Sequence, residues 1–541
     1  MTHTLTRRAV LARFAATGAA ALAAPLLAPI SALAGRDPFW RLDASAQAEL
    51  VRRGEVSALE LVDAAITRIE ALNPTLNAVV TTQFERARAT ARARVPEGPF
   101  RGVPYLIKDL NDLAGVRTTH GSRMFAERIA ERSAPYVQRT LDTGVIPLGK
   151  SNTPEFGGLA TTESVLLGPC RNPWDPAHTP GGSSGGAAAA VAAGLVPFAH
   201  ANDGGGSIRI PASCCGLFGL KPGRGRLEPG DDLRGADIGA ELCVSRSVRD
   251  SAAMLAATEY RPRRNRGNAS SRSGSASSRS GSASSRSGSG LPTATFPPVG
   301  FITHPDKRRL RIAFSTRTYT GAAPHPEVEA AAQRAAALTG DLGHHVEEAA
   351  PGIDGERFFE AFMTVWSSGA AARVAEAESR GLDPKEVLEP WTLGLAELHR
   401  RQPDDTMAAA LQNFNQMERI YRAFFSRYDV VLTPTLAAPP VLVGEQAPTV
   451  EFATLYERVH DWVAYTPIHN ATGNAAMSVP LGWSHGGLPI GLQYAAPRGG
   501  EGTLLALAYE LEEAAPWHDR WPALASGGET GGRDDPRGDV S

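Results

Sequence analysis

Residues 181–212 read GGSSGGAAAAVAAGLVPFAHANDGGGSIRIPA. The run 187–193 is almost pure alanine, the strongest helix former, and predicts a helix. The stretch 198–202 follows it, short and buried in character. Loops of small residues flank the helix, and each carries serine amid glycines: Ser183 and Ser184 before it, Ser207 after it. Glycine lets a backbone take positive φ and approach a ligand closely. The successive amides of Gly204, Gly205, Gly206 and Ser207 can point at one anion, as an oxyanion hole requires.

Outward from this stretch, 79–80, 103–110, 145–148, 310–315, 429–432 and 476–481 read as strands. Helices are predicted near 135–142 and over 326–342, 358–380 and 406–428. Ser57-Ala-Leu-Glu60 is a capping box, and the helix it opens is expected to stop at Asn73-Pro74. Such alternation is an α/β pattern. Nothing divides the chain into two cores, so one body is expected over 35–525.

The 541 residues are 42% hydrophobic and 21% charged, enough for a large core, which excludes collagenous, coiled-coil and wholly disordered chains. A net charge of −2 argues against a nucleic-acid footprint. Four cysteines make no disulfide scaffold, and the adjacent Cys214 and Cys215 read as small buried hydrophobes. Residues 1–34 read as a twin-arginine signal peptide. They hold Arg7-Arg8, a small-residue apolar stretch without acids, and Ala32-Leu33-Ala34 as a cleavage site. Export to the periplasm or exterior is expected, without stable membrane insertion. Residues 269–289 are three copies of ASSRSGS inside an insertion, 261–292, expected to be a disordered linker. The Gly-rich, acidic tail 526–541 is expected to be disordered too.

A phosphate loop needs G-x-x-x-x-G-K-[ST], or G-x-G-x-x-G after a strand, and neither occurs here. Gly181-Gly-Ser183-Ser-Gly185 fits the G-x-S-x-G nucleophile elbow. An elbow follows a buried strand, however, and Pro176-Ala-His-Thr-Pro180 precedes this one. With no H-E-x-x-H and no paired C-x-x-C, neither a metal nor another cofactor is expected. A serine nucleophile needs a base. Only five of the 55 basic residues are lysines. Arginine cannot be deprotonated, whereas a buried lysine can be held neutral. Lys108 lies in the apolar run Pro104-Tyr-Leu-Ile-Lys-Asp-Leu110, with Asp109 turned to the other side of the strand. A snorkelling surface lysine is the competing reading.

At these residues the chain resembles the amidase signature family. The likeness runs through 181–212, including Asp203, Gly205, Ser207, Ile208, Arg209, Pro211 and Ala212. It continues through Gly102-Val-Pro-Tyr-Leu-Ile-Lys108-Asp, Leu148-Gly-Lys-Ser-Asn152-Thr-Pro-Glu155, Gly219-Leu-Lys221-Pro-Gly and Asn470-Ala-Thr-Gly. Asn172-Pro-Trp174 and Ala199-His-Ala-Asn-Asp203 make it most similar to the branch of 6-aminohexanoate-cyclic-dimer hydrolases. The resemblance implies one fold with a central mixed β-sheet covered by helices on both faces. It implies Ser207 as nucleophile, Ser183 as a bridging serine with a cis peptide bond, and Lys108 as base. Ser184, Asp203 and Arg209 are expected around this triad, with Asp203 and Arg209 paired. Phe156, Gly157 and Trp366 are expected to line the substrate pocket.

The expected function is hydrolysis of the C–N bond in a small linear or cyclic carboxylic amide, through an acyl-enzyme on Ser207. An esterase or aryl-acylamidase of the same fold, and a non-catalytic exported binding protein, are the alternatives. An amidotransferase subunit of this fold works in the cytosol, which the export signal opposes. The expected partner is a small-molecule amide substrate and no nucleic acid, and the sequence leaves room for a homodimer.

Overall fold

In the computed structural model, which describes residues 39–93, 95–227, 238–260 and 296–526, the alanine run forms the helix Gly185–Ala192, buried at every residue. Its small side chains reflect how closely backbone passes it. A Cβ on Gly186 would lie 2.2 Å from Asn152 N and 2.7 Å from Ala78 O. The signal peptide expected over 1–34 and the insertion over 261–292 lie outside the described residues, as does the tail beyond Ser526.

The helix lies between two sheets. The smaller contains β1 (Val79–Thr82), β2 (Pro104–Lys108) and β3 (Ile146–Ser151), ordered β1-β3-β2, with β2 parallel and β1 antiparallel to β3. A short hairpin of β4 (Glu163–Ser164) and β5 (Gly168–Pro169) follows. The main sheet is mixed and has eight strands: β6 (Phe198–Asp203), β7 (Phe218–Lys221), β8 (Ala240–Ser245), β9 (Arg311–Phe314), β10 (His345–Glu348), β11 (Val430–Pro434), β12 (Ala475–Trp483) and β13 (Pro489–Ala496). Their spatial order is β10-β9-β11-β13-β12-β7-β8-β6.

Strand β13 is buried along its whole length, so its sequence shows no polar alternation. Its successive residues still serve opposite faces. A Cβ on Gly491 would meet Ser213 of the helix Arg209–Cys215 at 2.6 Å, on the side to which Gln493 also points. Tyr494 points the other way, its hydroxyl 3.0 Å from Thr339 Oγ1 of the helix Pro326–Asp341. Helices therefore cover both faces. A second apolar cluster binds the helices Gly355–Ser379, Pro390–Arg400, Thr406–Phe424 and Phe452–Trp462 through Phe358, Phe362, Trp391, Phe414 and Leu455.

The Ser57–Glu60 capping box is present. The helix it opens runs on to Leu76, which corrects the stop expected at Asn73-Pro74. Proline in a last turn forfeits a single bond, and the end is set by Asn77, left-handed at φ 49°, whose N–H donates to Asn73 O. Asn73 Oδ1 then accepts from Ala78 N and Val79 N and starts β1. All four cysteines are buried and free. Among the described residues, no helix is long and apolar enough to cross a membrane.

Glycines at a contact and glycines in open space should respond oppositely to substitution. Gly186→Ala drives a Cβ into backbone that cannot yield, and is expected to destabilise by about 3 kcal/mol. Gly369→Ala, on an exposed helical position with nothing within 4 Å, should stabilise by about 0.5–1 kcal/mol. Urea midpoints compare the two.

Candidate active site

Three ends of elements meet here. Lys108 is the last residue of β2, Ser183 precedes the N-terminus of the helix Gly185–Ala192, and Ser207 lies between β6 and the helix Arg209–Cys215. The Gly182–Ser183 peptide bond is cis. Lys108 Nζ donates to Ser183 Oγ at 2.7 Å and to Asn202 Oδ1 at 2.6 Å. The lysine is fully buried, so the snorkelling alternative falls. Burial lowers its pKa to about 7, against the opposing pull of Glu241 and Asp203.

Two other lysines are fully or nearly buried, and neither reaches a serine of these loops. Lys150 Nζ donates to Asn111 O and Thr118 Oγ1 and lies 3.4 Å from Asp109 Oδ1. Lys221 Nζ donates to Pro222 O. Asp109 is thus turned from Lys108, accepting instead from Thr119. No strand leads into Ser183, and a lysine holds it, which removes the elbow reading. Ser207 is nearly buried, and its hydroxyl makes no hydrogen bond among the described residues. The structure therefore joins Lys108 to Ser183 and leaves Ser207 Oγ open.

The glycine loop departs from expectation at one amide. Gly206 N donates to Asp203 Oδ1 at 2.8 Å, so that amide already has a partner where a free donor was expected. Its φ of 140° turns the chain back onto Asp203, and a Cβ there would lie 2.4 Å from Thr466 Oγ1. The amides of Gly204, Gly205 and Ser207 have no partner among the described residues. Asp203 and Arg209 pair as expected, Nε to Oδ2 and Nη2 to Oδ1 both at 2.9 Å. Burial works against the Asp203 carboxylate, but the Arg209 charge overrides it and holds the group below the usual carboxylate range. Ser184 Oγ donates to Asn202 O at 3.3 Å.

Trp366 lies over the same loop. A Cβ on Gly204 would meet its ring at 3.3 Å, and one on Gly205 would meet Phe362 at 3.0 Å. The Phe362 and Trp366 rings stack with centroids 5.6 Å apart. Trp366 Nε1 and Trp391 Nε1 both donate to Gly158 O, at 3.3 and 2.9 Å. Gly157 has φ 68°, and a Cβ there would come within 3.1 Å of Ser183 Oγ. The Phe156 ring packs edge-on against Phe125 and under the Arg373 guanidinium. Sequence reasoning singles out neither Asn202, beside Asp203, nor Phe362, one helical turn before Trp366 and so on its face. Trp391 and Thr466 carried no local signal. Among the described residues, no group of three His, Cys, Asp or Glu could hold a metal ion.

A family model described as Amidase matches residues 60–505. AmiC of Mycobacterium tuberculosis, an amidase by name, is 40% identical over 89% of this chain and 96% of its own. The 6-aminohexanoate-cyclic-dimer hydrolase of Paenarthrobacter ureafaciens is 37% identical, over 90% of this chain and 97% of its own. The solved structure of 6-aminohexanoate cyclic dimer hydrolase complexed with substrate superposes with a TM-score of 0.78 at 34% identity, covering 90% of this chain and all of that one. That of a bacterial aryl acylamidase superposes with a TM-score of 0.76 at 27% identity, covering 90% and 98%.

Arg209→Met keeps the length of the side chain but strands Asp203 as an uncompensated buried charge. A loss of about 3–5 kcal/mol is expected in urea unfolding at neutral pH. An unchanged midpoint would show that the pair does not hold the loop.

Proposed function

The chain belongs to the amidase signature family, and from that premise we propose how its residues share the work of amide hydrolysis. As a member it is an amidohydrolase acting on carbon–nitrogen bonds other than peptide bonds. In this reading neutral Lys108 takes a proton from Ser183, which takes one from Ser207. The Ser207 oxygen attacks the amide carbonyl. The amides of Gly204, Gly205 and Ser207 hold the resulting oxyanion, a preorganised arrangement worth roughly 10²–10³ in rate per donor. Ser183 then delivers a proton to the leaving amine and is reprotonated by Lys108. Water enters and attacks the acyl carbon as it loses a proton along the same relay, and the relay returns that proton to Ser207 Oγ as the acid departs.

The observation that carries this reading is the 2.7 Å contact between a fully buried lysine and Ser183. A cation sealed from water favours losing its proton, and the adjoining hydroxyl supplies the path. The likeness to the cyclic-dimer hydrolase supports a small linear or cyclic amide as substrate. Aromatic rings over the glycine loop also favour a second reading, in which the acyl or amine part is flat, as in an aryl amide. Export through residues 1–34 belongs to the same proposal, supported by their twin-arginine pattern.

A fluorophosphonate probe followed by peptide mapping tests these roles. The label is expected on Ser207 and is expected to vanish in Lys108→Ala. Because the neutral lysine is the active form, the labelling rate should rise with pH through about 7 and then level off. A label on Ser183 or Ser184, or one that survives loss of Lys108, would overturn the assignment.

A further inference from the structure

Behind Lys108 the structure closes a ring of hydrogen bonds that no step above uses. Lys108 Nζ donates to Asn202 Oδ1 at 2.6 Å, Asn202 Nδ2 to Asn111 Oδ1 at 3.0 Å, and Asn111 Nδ2 to Glu241 Oε1 at 3.1 Å. The other carboxylate oxygen, Oε2, is 2.9 Å from His200 Nε2. His200 Nδ1 accepts from the backbone N–H of Lys108 at 3.3 Å and closes the ring. These residues come from β2, the turn after it, β6 and β8, and His200 is fully buried.

The donors settle the charges. A backbone N–H faces His200 Nδ1, so that nitrogen is the acceptor and the ring proton sits on Nε2, donating to Glu241. In this tautomer His200 is neutral and leaves the Glu241 charge uncancelled. Both amides are aligned, turning oxygen toward Lys108 and NH2 toward Glu241. Aligned dipoles in a low-dielectric interior carry the carboxylate's influence to Nζ. Asp203 pulls the same way but less strongly than Glu241, being already held by Arg209, and Asp109 faces Lys150. Burial keeps the Tyr105 and Tyr136 phenols and the Cys243 thiol protonated.

We propose that Glu241 is a positioning residue that keeps Lys108 basic enough to accept the serine proton, acting through Asn111 and Asn202. Burial alone would leave the amine too weak a base to draw on the relay, and the carboxylate restores part of its proton affinity. The proposal rests on the reading of Lys108 as the base.

The test is the pH dependence of fluorophosphonate labelling at Ser207, in wild type and three variants. Glu241→Gln should move the acid limb to lower pH by about one unit, because the ammonium form loses its distant anion. Asn111→Leu breaks the relay while keeping the Glu241 side chain, and should move the limb the same way. It also carries the test if Glu241→Gln does not fold. Asn202→Asp sets a carboxylate directly against Nζ and should move the limb to higher pH. A slower rate at every pH with an unmoved limb in Glu241→Gln and Asn111→Leu, while Asn202→Asp still shifts it, would overturn the role of Glu241 and leave Lys108 as base. A limb that ignores Asn202→Asp would overturn Lys108 itself.

Discussion

Arg209 is fully buried and spends all five of its donors. Nε and Nη2 hold the two oxygens of Asp203, Nη2 also reaches Asn470 Oδ1, and Nη1 reaches Thr466 O and Gln493 Oε1. The planar fork is what allows this, and a lysine with three donors on one atom could not replace it. The contacts tie the end of β6, the central strand β13 and the segment entering the helix Pro467–Ala471 into one frame. Asp203, clamped from one side, presents its oxygens to Gly206 N and Ile208 N on the other. The path of the loop around Ser207 is therefore dictated by a buried ion pair. That path leaves the Gly204, Gly205 and Ser207 amides clear of partners among the described residues.

The same economy governs the lysines. Exposed positive charge falls almost wholly to arginine, while Lys108, Lys150 and Lys221 are interior. Burial penalises each ammonium, but the consequences differ with the surroundings. Lys150 is compensated by Asp109, and Lys221 lies among Arg209, Arg224, Asp203 and Glu501. Lys108 meets a hydroxyl and an amide oxygen, neither of which carries charge. It is the one of the three for which proton transfer to or from a serine has a direct path.

Much of this was legible in 181–212, because the chemistry there is backbone chemistry: small residues mark close approach, and glycine marks turns. The meeting of Lys108 with Ser183, the Asp203–Arg209 pair and the place of Trp366 beside the glycine loop followed from that stretch and from the family likeness. What stayed hidden lies in side chains that meet across long separations. Asn111, His200 and Glu241 are polar residues in apolar surroundings, with no periodicity to link them. The partner of the Gly206 amide stayed hidden for a related reason. Counting successive amides takes no account of an adjacent carboxylate that captures one of them. Pro74 misled because the rule that proline ends a helix weakens in the final turn.

Chemistry and substrate selection share parts in this site. The two indoles that donate to Gly158 O fix the loop from Phe156 to Gly158 to the helices Gly355–Ser379 and Pro390–Arg400. In that loop Gly157 stands against Ser183 Oγ and Leu110, and a methyl group there would press on both. Gly204 and Gly205 are in turn bare where Phe362 and Trp366 lie on them. A larger residue at Gly204 or Gly205 would displace the rings, and a smaller ring would leave the loop unsupported. Interiors packed to this density transmit such changes rather than absorbing them. Altering the aromatic residues therefore also alters the packing around Ser183. Substrate preference here should change through paired substitutions, one in the aromatic wall and one in the glycine loop beneath it.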